Sequence, residues 1–227
     1  VEYVEVARAE SERGELVLRE RRDDDGPAVL ELRANGVFVM DTLETGTEQA
    51  LATAALALVE DPRAVLVGGL GLGFTTHQVL ADSRVERCTT VEIEEALVGW
   101  MRDGTIAHGP ALLADERAAI VVADVAVALA EARPASYDLV LLDVDNGPGY
   151  LVHDANARLY ESAFLETTRA ALRPGGALVI WSAAEAPSLG TTLERVFGAA
   201  EALPLEVRLQ DRDEEYWLYV ARVTSET

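Results

Sequence analysis

The chain has 227 residues, of which 49% are hydrophobic, so it can bury a sizeable core as one domain with a small appendage. Its 40 acidic residues outweigh 19 basic ones, all of them arginine, and the net charge of −21 disfavours a nucleic-acid partner while suiting a cationic small molecule or, equally, plain solubility. No basic stretch followed by an apolar one opens the sequence, no run of about 18 apolar residues could span a bilayer, and the lone Cys88 cannot form an internal disulfide, so a cytoplasmic protein without a membrane partner is expected.

From Glu15 to Met40, two β-prone runs, "ELVLRE" and "AVLELRANGVFVM", flank "RRDDDGP", whose charges and Gly-Pro cannot continue a strand; antiparallel hairpins are expected. Thr47 to Glu60 is rich in Ala and Leu with no breaker before Pro62, which predicts a helix. From Ala64 onward apolar runs alternate with helical stretches, the pattern of a parallel sheet covered by helices. Strands are predicted at "AVLVGG", "RCTTVEIE", "AAIVVAD", "YDLVLLDV" and "GGALVIWSA". Helices are predicted over Thr75 to Ala81, Glu94 to Met101, Val125 to Ala132, Ser162 to Leu172 and Leu189 to Val196. The end, "LEVRLQDRDEEYWLYVARV", reads as an antiparallel hairpin with a solvated turn at "DRDEE". The fold class is therefore α/β: a doubly wound, mostly parallel seven-stranded Rossmann-like sheet over residues 47–227, preceded by a small β-hairpin domain over residues 1–46.

Four strand ends carry candidate chemistry. Gly69, Gly71 and Gly73 alternate between a strand and a helix, where glycine lets backbone approach a ligand and the helix start offers free N–H groups. The spacing departs from the dinucleotide fingerprint, which would want glycine where Phe74 stands. Glu92 lies about 20 residues beyond the loop at the end of the next strand, placed to accept hydrogen bonds from both ribose hydroxyls. Asp124 ends the third strand and reads either as a helix N-cap or as a partner of an adenine amino group. After the fourth strand, "LVLLDVDNGPGYL" runs from four aliphatic residues into Asp143, Asp145, Asn146 and a turn.

Glycine loop, "VEIE", "VVAD", "YDLVLLDVD" and "LRPGGALVIW", in this order, resemble the class I adenosylmethionine-dependent transferase fold and, more narrowly, the spermidine synthases. That family has a Gly-Gly-Gly-Asp-Gly-Gly loop, a Val-Glu-Ile-Asp ribose strand, a Gly-Asp-Gly adenine turn and an Asp-Ser-x-Asp-Pro-x-Gly-Pro loop after its fourth strand; the resemblance covers about Gly14 to Val223. It implies S-adenosylmethionine or its decarboxylated form as co-substrate, no metal, a small-molecule amine as acceptor, and a homodimer joined through the N-terminal hairpins and one sheet edge. It also implies roles: Gly69, Gly71 and Gly73 along the amino-acid portion and ribose of the nucleotide, Glu92 on the ribose, Asp124 on the adenine, Asp143 as catalytic base, and Asp145, Asn146 and Tyr150 toward the acceptor.

The departures from the family fall on the transferred arm and the acceptor. Leu72 is aligned with the aspartate that grips the propylamine arm, removing a charge-assisted hydrogen bond normally worth about 1.5 to 3 kcal/mol. Val39 replaces a glutamine, Glu48 a tyrosine of the polyamine channel, and Ala50 a glutamate, while Asp143 and Pro148 stand five residues apart where the family has seven. Three readings follow: transfer of an aminopropyl or related group to an amine, methyl transfer, and a non-catalytic nucleoside-binding or assembly module. His77, His108 and His153 are too dispersed for a metal set; His108 is expected at solvated surface, His77 in packing, and His153 in a turn or, with Asp154, facing a ligand. Trp100 and Trp217 are assigned to core or interface, as is Trp181, which could also wall the site; Tyr150 and Asn156 fall in a lid-like segment, and Cys88 is expected to be a buried small hydrophobe.

Overall fold

The computed structural model describes every residue except 23–25, 152, 210–211 and 225–227. The acidic centre of "RRDDDGP" and Asp211, the first residue of "DRDEE", thus lie outside the described residues, while the rest of "DRDEE", expected in a solvated turn, belongs to the strand Arg212–Arg222. Four antiparallel strands come first, in spatial order: β1 (Glu2–Ser11), β2 (Gly14–Arg22), β3 (Val29–Ala34) and β4 (Val37–Asp41). The hairpin pattern read from Glu15 onward leaves out β1. That strand is exposed on nearly all of its length, so no buried face imposes an apolar alternation, and it is held by pairing with β2.

Helix α1 (Gly46–Ala57) leads into the alternating part of the chain: β5 (Ala64–Gly68), α2 (Phe74–Ala81), β6 (Arg87–Glu92), α3 (Glu95–Asp103), α4 (Gly109–Leu113), β7 (Ala118–Val122), α5 (Val125–Glu131) and β8 (Tyr137–Leu142). A 3₁₀ helix (Asp154–Tyr160), α6 (Ser162–Ala171), β9 (Leu172–Ser182), α7 (Pro187–Phe197), β10 (Ala200–Leu209) and β11 (Arg212–Arg222) complete the fold. The large sheet has the order β10-β11-β9-β8-β5-β6-β7, with β5 to β9 parallel and β11 antiparallel to both of its neighbours. This is the mostly parallel seven-stranded sheet that the sequence pattern predicts.

The sheet separates two apolar layers, and residue parity along the strands decides which layer each side chain enters. Leu139 and Leu141 of β8, with Val65 and Val67 of β5, face the layer that includes α1, α2 and α3. Val140, Leu142 and Leu66 face the layer that includes α5, α6 and α7. A strand buried on both sides must be continuously aliphatic, which explains "LVLL". Leu16, Leu18, Leu32 and Ala34 of the small sheet join the first layer, so that sheet packs above α1 and the carboxyl ends of the central strands.

Candidate functional site

After β5 the chain continues to one side of the sheet through β6 and β7, and after β8 it continues to the other side through β9. The crevice between the carboxyl ends of two such neighbouring strands is where open α/β sheets bind ligands. Here it is formed by the loops after β5 and β8, which touch: the Asp143 N–H donates to the Gly68 carbonyl at 2.9 Å. A Cβ on Gly69, whose φ is +95°, would lie 2.2 Å from the Asp143 carbonyl oxygen, so only glycine permits this approach. A cavity of about 240 Å³ opens there, running from Asp124 beyond β7 to Trp181 on β9, with Leu16, Leu32 and Met40 of the small sheet among its walls.

The structure divides the three glycines of the loop. Gly69 and Gly71 line the cavity. Gly73 does not: it is the N-cap of α2 at φ +86°, and a Cβ there would meet Met101 and Leu112 at 2.6 and 2.7 Å, so it serves the turn and helix packing. Leu72, expected in place of the arm-gripping aspartate, is fully buried in the core and faces away from the cavity. Laying the six-residue family motif on Gly68-Gly69-Leu70-Gly71-Leu72-Gly73 puts its aspartate at Gly71, which corrects that alignment. The space beside Gly71 is taken by Met40, whose sulfur accepts the Leu72 N–H at 3.1 Å and would stand 2.6 Å from a Cβ at position 71.

On the β6–β7 side the acids already have protein partners. Glu92, buried at the end of β6, accepts the Leu70 N–H at 2.9 Å on one oxygen and the Glu94 N–H at 2.8 Å on the other. Burial pushes its pKa up, and those two backbone donors oppose the rise. Asp124 is the N-cap of α5, accepting the Ala126 N–H at 2.8 Å, and its second oxygen pairs with Arg158. Glu94, at the N-cap position of α3 without a capping bond, instead pairs with Arg13 at 3.2 Å.

On the β8–β9 side the acids are less well satisfied. Asp143, half-buried at the cavity wall, accepts one side-chain hydrogen bond, from the Thr75 hydroxyl at 3.0 Å. Burial raises its pKa to about 6 against the opposing effect of that bond. Glu48 projects from α1 into the same cavity; burial, then the charges of Asp143 and Asp41, raise its pKa to about 7, and its Oε2 has no hydrogen-bond partner. Asp145 is buried and tied into its own loop, accepting the Asn146 N–H at 2.8 Å and the Asn156 side-chain amide at 2.7 Å. Asn146 lines the cavity and its carbonyl accepts the Ala183 N–H at 3.1 Å, linking the loop to β9.

The remaining expectations divide. Tyr150 is 66% exposed and outside the cavity wall, so it is not brought to the site. Asn156 and His153 do line the cavity, as do Val39 and Trp181, whereas Ala50 does not. His108 is not at solvated surface: a ring nitrogen lies 2.6 Å from the Leu72 carbonyl and the ring packs 5.2 Å from Phe74, buttressing the glycine loop. His77 is exposed rather than packed. Arg13, Met40 and Thr75 were not singled out by the sequence. Only Thr75, in the first turn of the helix after the loop, had a positional cue.

The strand order, the glycine loop at its reversal and the acids at the next two strand ends define the class I adenosylmethionine-dependent transferase fold. Residues 44–193 match the family model of the spermine/spermidine synthase domain, about two thirds of the chain, and the chain belongs to that family. The polyamine aminopropyltransferase 2 of Pseudomonas aeruginosa is 31% identical over 136 residues, 58% of this chain and 37% of that protein. The putrescine N-methyltransferase 3 of Nicotiana tabacum is 31% identical over 123 residues, 53% of this chain and 30% of that protein. The chain therefore spans well under two thirds of these curated relatives. The crystal structure of a spermidine synthase from Thermotoga maritima superposes with a TM-score of 0.76 over 96% of this chain and 72% of that one, at 18% identity, a likeness of fold. No helix among the described residues is long and apolar enough to cross a membrane.

Proposed function

We propose that the chain binds an adenosylmethionine-type nucleotide over β5 to β7 and transfers an aminopropyl or related alkyl group from it to a small amine, with Asp143 as the base. The observation that carries this reading is Asp143 itself, a carboxylate at the crevice with one side-chain hydrogen bond and a pKa raised to about 6. Such a group is ionised at neutral pH yet basic enough to take a proton. The nucleotide would supply an electrophilic carbon on a sulfonium sulfur. Asp143 orients the attacking amine toward that carbon; the C–N bond forms as the C–S bond breaks, sulfur keeps the bonding pair, and the amine proton passes to the Asp143 carboxylate. Glu92 suits the ribose because each of its oxygens accepts a single N–H and keeps a free lone pair. Asp124, already occupied by Ala126 and Arg158, has less left for an adenine amino group.

A second reading, methyl transfer, draws support from Gly71 and Met40. With glycine and a thioether where the family keeps a carboxylate, no charge in the loop selects a nucleotide that ends in an amine. One comparison separates the readings: calorimetric titration with adenosylmethionine, its decarboxylated form, methylthioadenosine and adenosylhomocysteine, followed by product analysis with a panel of amines. Aminopropyl transfer predicts preference for the decarboxylated nucleotide and methylthioadenosine as product; methyl transfer predicts adenosylhomocysteine. Nucleoside binding with no amine ever consumed would overturn both and leave a binding module.

A further inference from the structure

Among the described residues three buried side-chain polar atoms make no hydrogen bond: Arg13 Nε, which nonetheless lies 3.2 Å from Glu94 in an ion pair, and Glu48 Oε2 and Trp181 Nε1. All three residues line the one cavity at the crevice. Buried polar atoms without partners are few in folded proteins, and their gathering in one cavity marks groups that a bound molecule completes. Arg13 belongs to the nucleotide end, beside Glu94. The other two stand elsewhere. Trp181 is on β9, three strands and ~14 Å across the sheet from Glu92 on β6, on the far side of Asp143 from the ribose site. It flanks the acceptor loop: the next residue, Ser182, lies against Gly147, and Ala183 holds the Asn146 carbonyl. Glu48 faces Asp143 from α1.

The two unpartnered groups differ in kind. A carboxylate oxygen calls for a cation or a donor, and an indole N–H can only donate. An unsubstituted alkyl diamine bound as a cation would satisfy Glu48 and leave the indole N–H buried and unpaired. A carboxylate on the acceptor would be repelled, because Glu48, Asp143 and Asp145 all line this part of the cavity. Resting on the function proposed above, we infer that the acceptor is an amine that also carries a neutral oxygen, a hydroxyl or a carbonyl, with Glu48 holding its cationic nitrogen and Trp181 donating to the oxygen. A site built to hydrogen-bond such an oxygen discriminates strongly against the analogue without it.

The test is calorimetric titration of protein saturated with methylthioadenosine, using putrescine, 2-hydroxyputrescine and 4-aminobutanol. The wild type is expected to bind one of the oxygen-bearing amines about tenfold more tightly than putrescine. Trp181→Phe, which keeps a ring against Tyr216, is expected to collapse that preference toward unity; Glu48→Gln is expected to weaken all three amines about tenfold with the preference retained. Equal or tighter binding of putrescine by the wild type overturns the inference, as does a preference that survives Trp181→Phe. A Trp181→Phe effect confined to adenosylmethionine relative to its decarboxylated form would assign the N–H to the nucleotide and also overturn it. Methylthioadenosine binding without any amine binding removes this inference and spares the nucleotide site. Selective amine binding without any nucleoside does the reverse.

Discussion

The two ends of the cavity are built on opposite terms. At the β6–β7 end, Glu92 and Asp124 spend their oxygens on backbone N–H groups and on Arg158, so their positions are fixed before any ligand arrives. At the β8–β9 end, Asp143 has one hydroxyl donor, Glu48 has an oxygen with none, and their pKa values rise to about 6 and about 7. On the function proposed above, the first end is a preorganised cradle and the second holds charge in reserve. The contrast teaches that recognition and chemistry make different demands: a cradle gains from completed hydrogen bonds, whereas a base needs its proton affinity kept high by burial and incomplete solvation.

The largest effect is expected where the reserve is used. Asp143→Asn keeps size and shape but cannot take a proton, so the transfer rate should fall about 10²- to 10⁴-fold, while methylthioadenosine binding stays within about threefold. Initial rates and calorimetry on the same preparation check both halves, and a rate drop below tenfold would end the role of base. In the wild type, the rate should climb with pH through the region of about 6 as Asp143 ionises. At the other end the reverse split is expected. Glu92→Ala strips the partner from the Leu70 and Glu94 N–H groups, the first of them buried, and should lower unfolding free energy by about 2 to 3 kcal/mol together with nucleoside affinity. Urea unfolding measures the first change.

Glu48 sharpens the comparison through pH. Its folded-state pKa of about 7 lies above the ordinary 4.5, so the folded protein binds more protons than the unfolded chain between those values. Stability from this group is present below about pH 4.5 and is lost as pH rises through about 7. The full shift would exceed what a half-buried group delivers, and after allowance for solvent screening about 1 to 2 kcal/mol remains. Glu48→Gln should therefore match the wild type near pH 4.5 and exceed it by about that amount at pH 8 in urea titrations. A variant less stable than the wild type at pH 8 would contradict the unsatisfied-carboxylate picture.

How much of this was readable in advance follows the same division. The central strands, the glycine loop, Glu92 and Asp143 announce themselves because strands buried on both faces must be aliphatic and their carboxyl ends must turn polar abruptly. What linear pattern does not carry is which oxygen is already engaged. Asp124 reads from the sequence as a ligand group or a cap; the structure shows the cap on α5 and a pairing with Arg158, at a residue that also lines the cavity. Leu72 and Gly71 exchange roles because side-chain direction in the loop depends on the turn that Gly73 makes, and on Met40 arriving from a distant strand. The resemblance puts Glu48 at a channel position and the strand end puts Trp181 where it could wall the site, and both line the cavity. That each keeps an unpartnered polar atom there depends on how α1 and β9 pack around the crevice, which no local motif encodes. Strand β1 was missed for the opposite reason, since a strand exposed along most of its length has no burial pattern to read.

The smallest effect is expected at Asp124, where the cradle's logic can be tested most finely. Its carboxylate caps α5 through the Ala126 N–H and pairs with Arg158 on the 3₁₀ helix of the segment that follows the Asp143 loop. Removing an N-cap acid costs about 1 kcal/mol, and an exposed ion pair adds less than that. Asp124→Ala should thus lower unfolding free energy by about 1 kcal/mol, while Arg158→Ala changes it by less than about 0.5 kcal/mol. If Asp124 also serves the adenine, Arg158→Ala frees one of its oxygens and should tighten methylthioadenosine binding by up to about threefold, the gain from releasing a weak competing contact. If capping is its whole task, Arg158→Ala leaves nucleoside affinity unchanged. Calorimetry on Arg158→Ala alone thereby separates a residue that holds the fold at the edge of the site from one that touches the ligand.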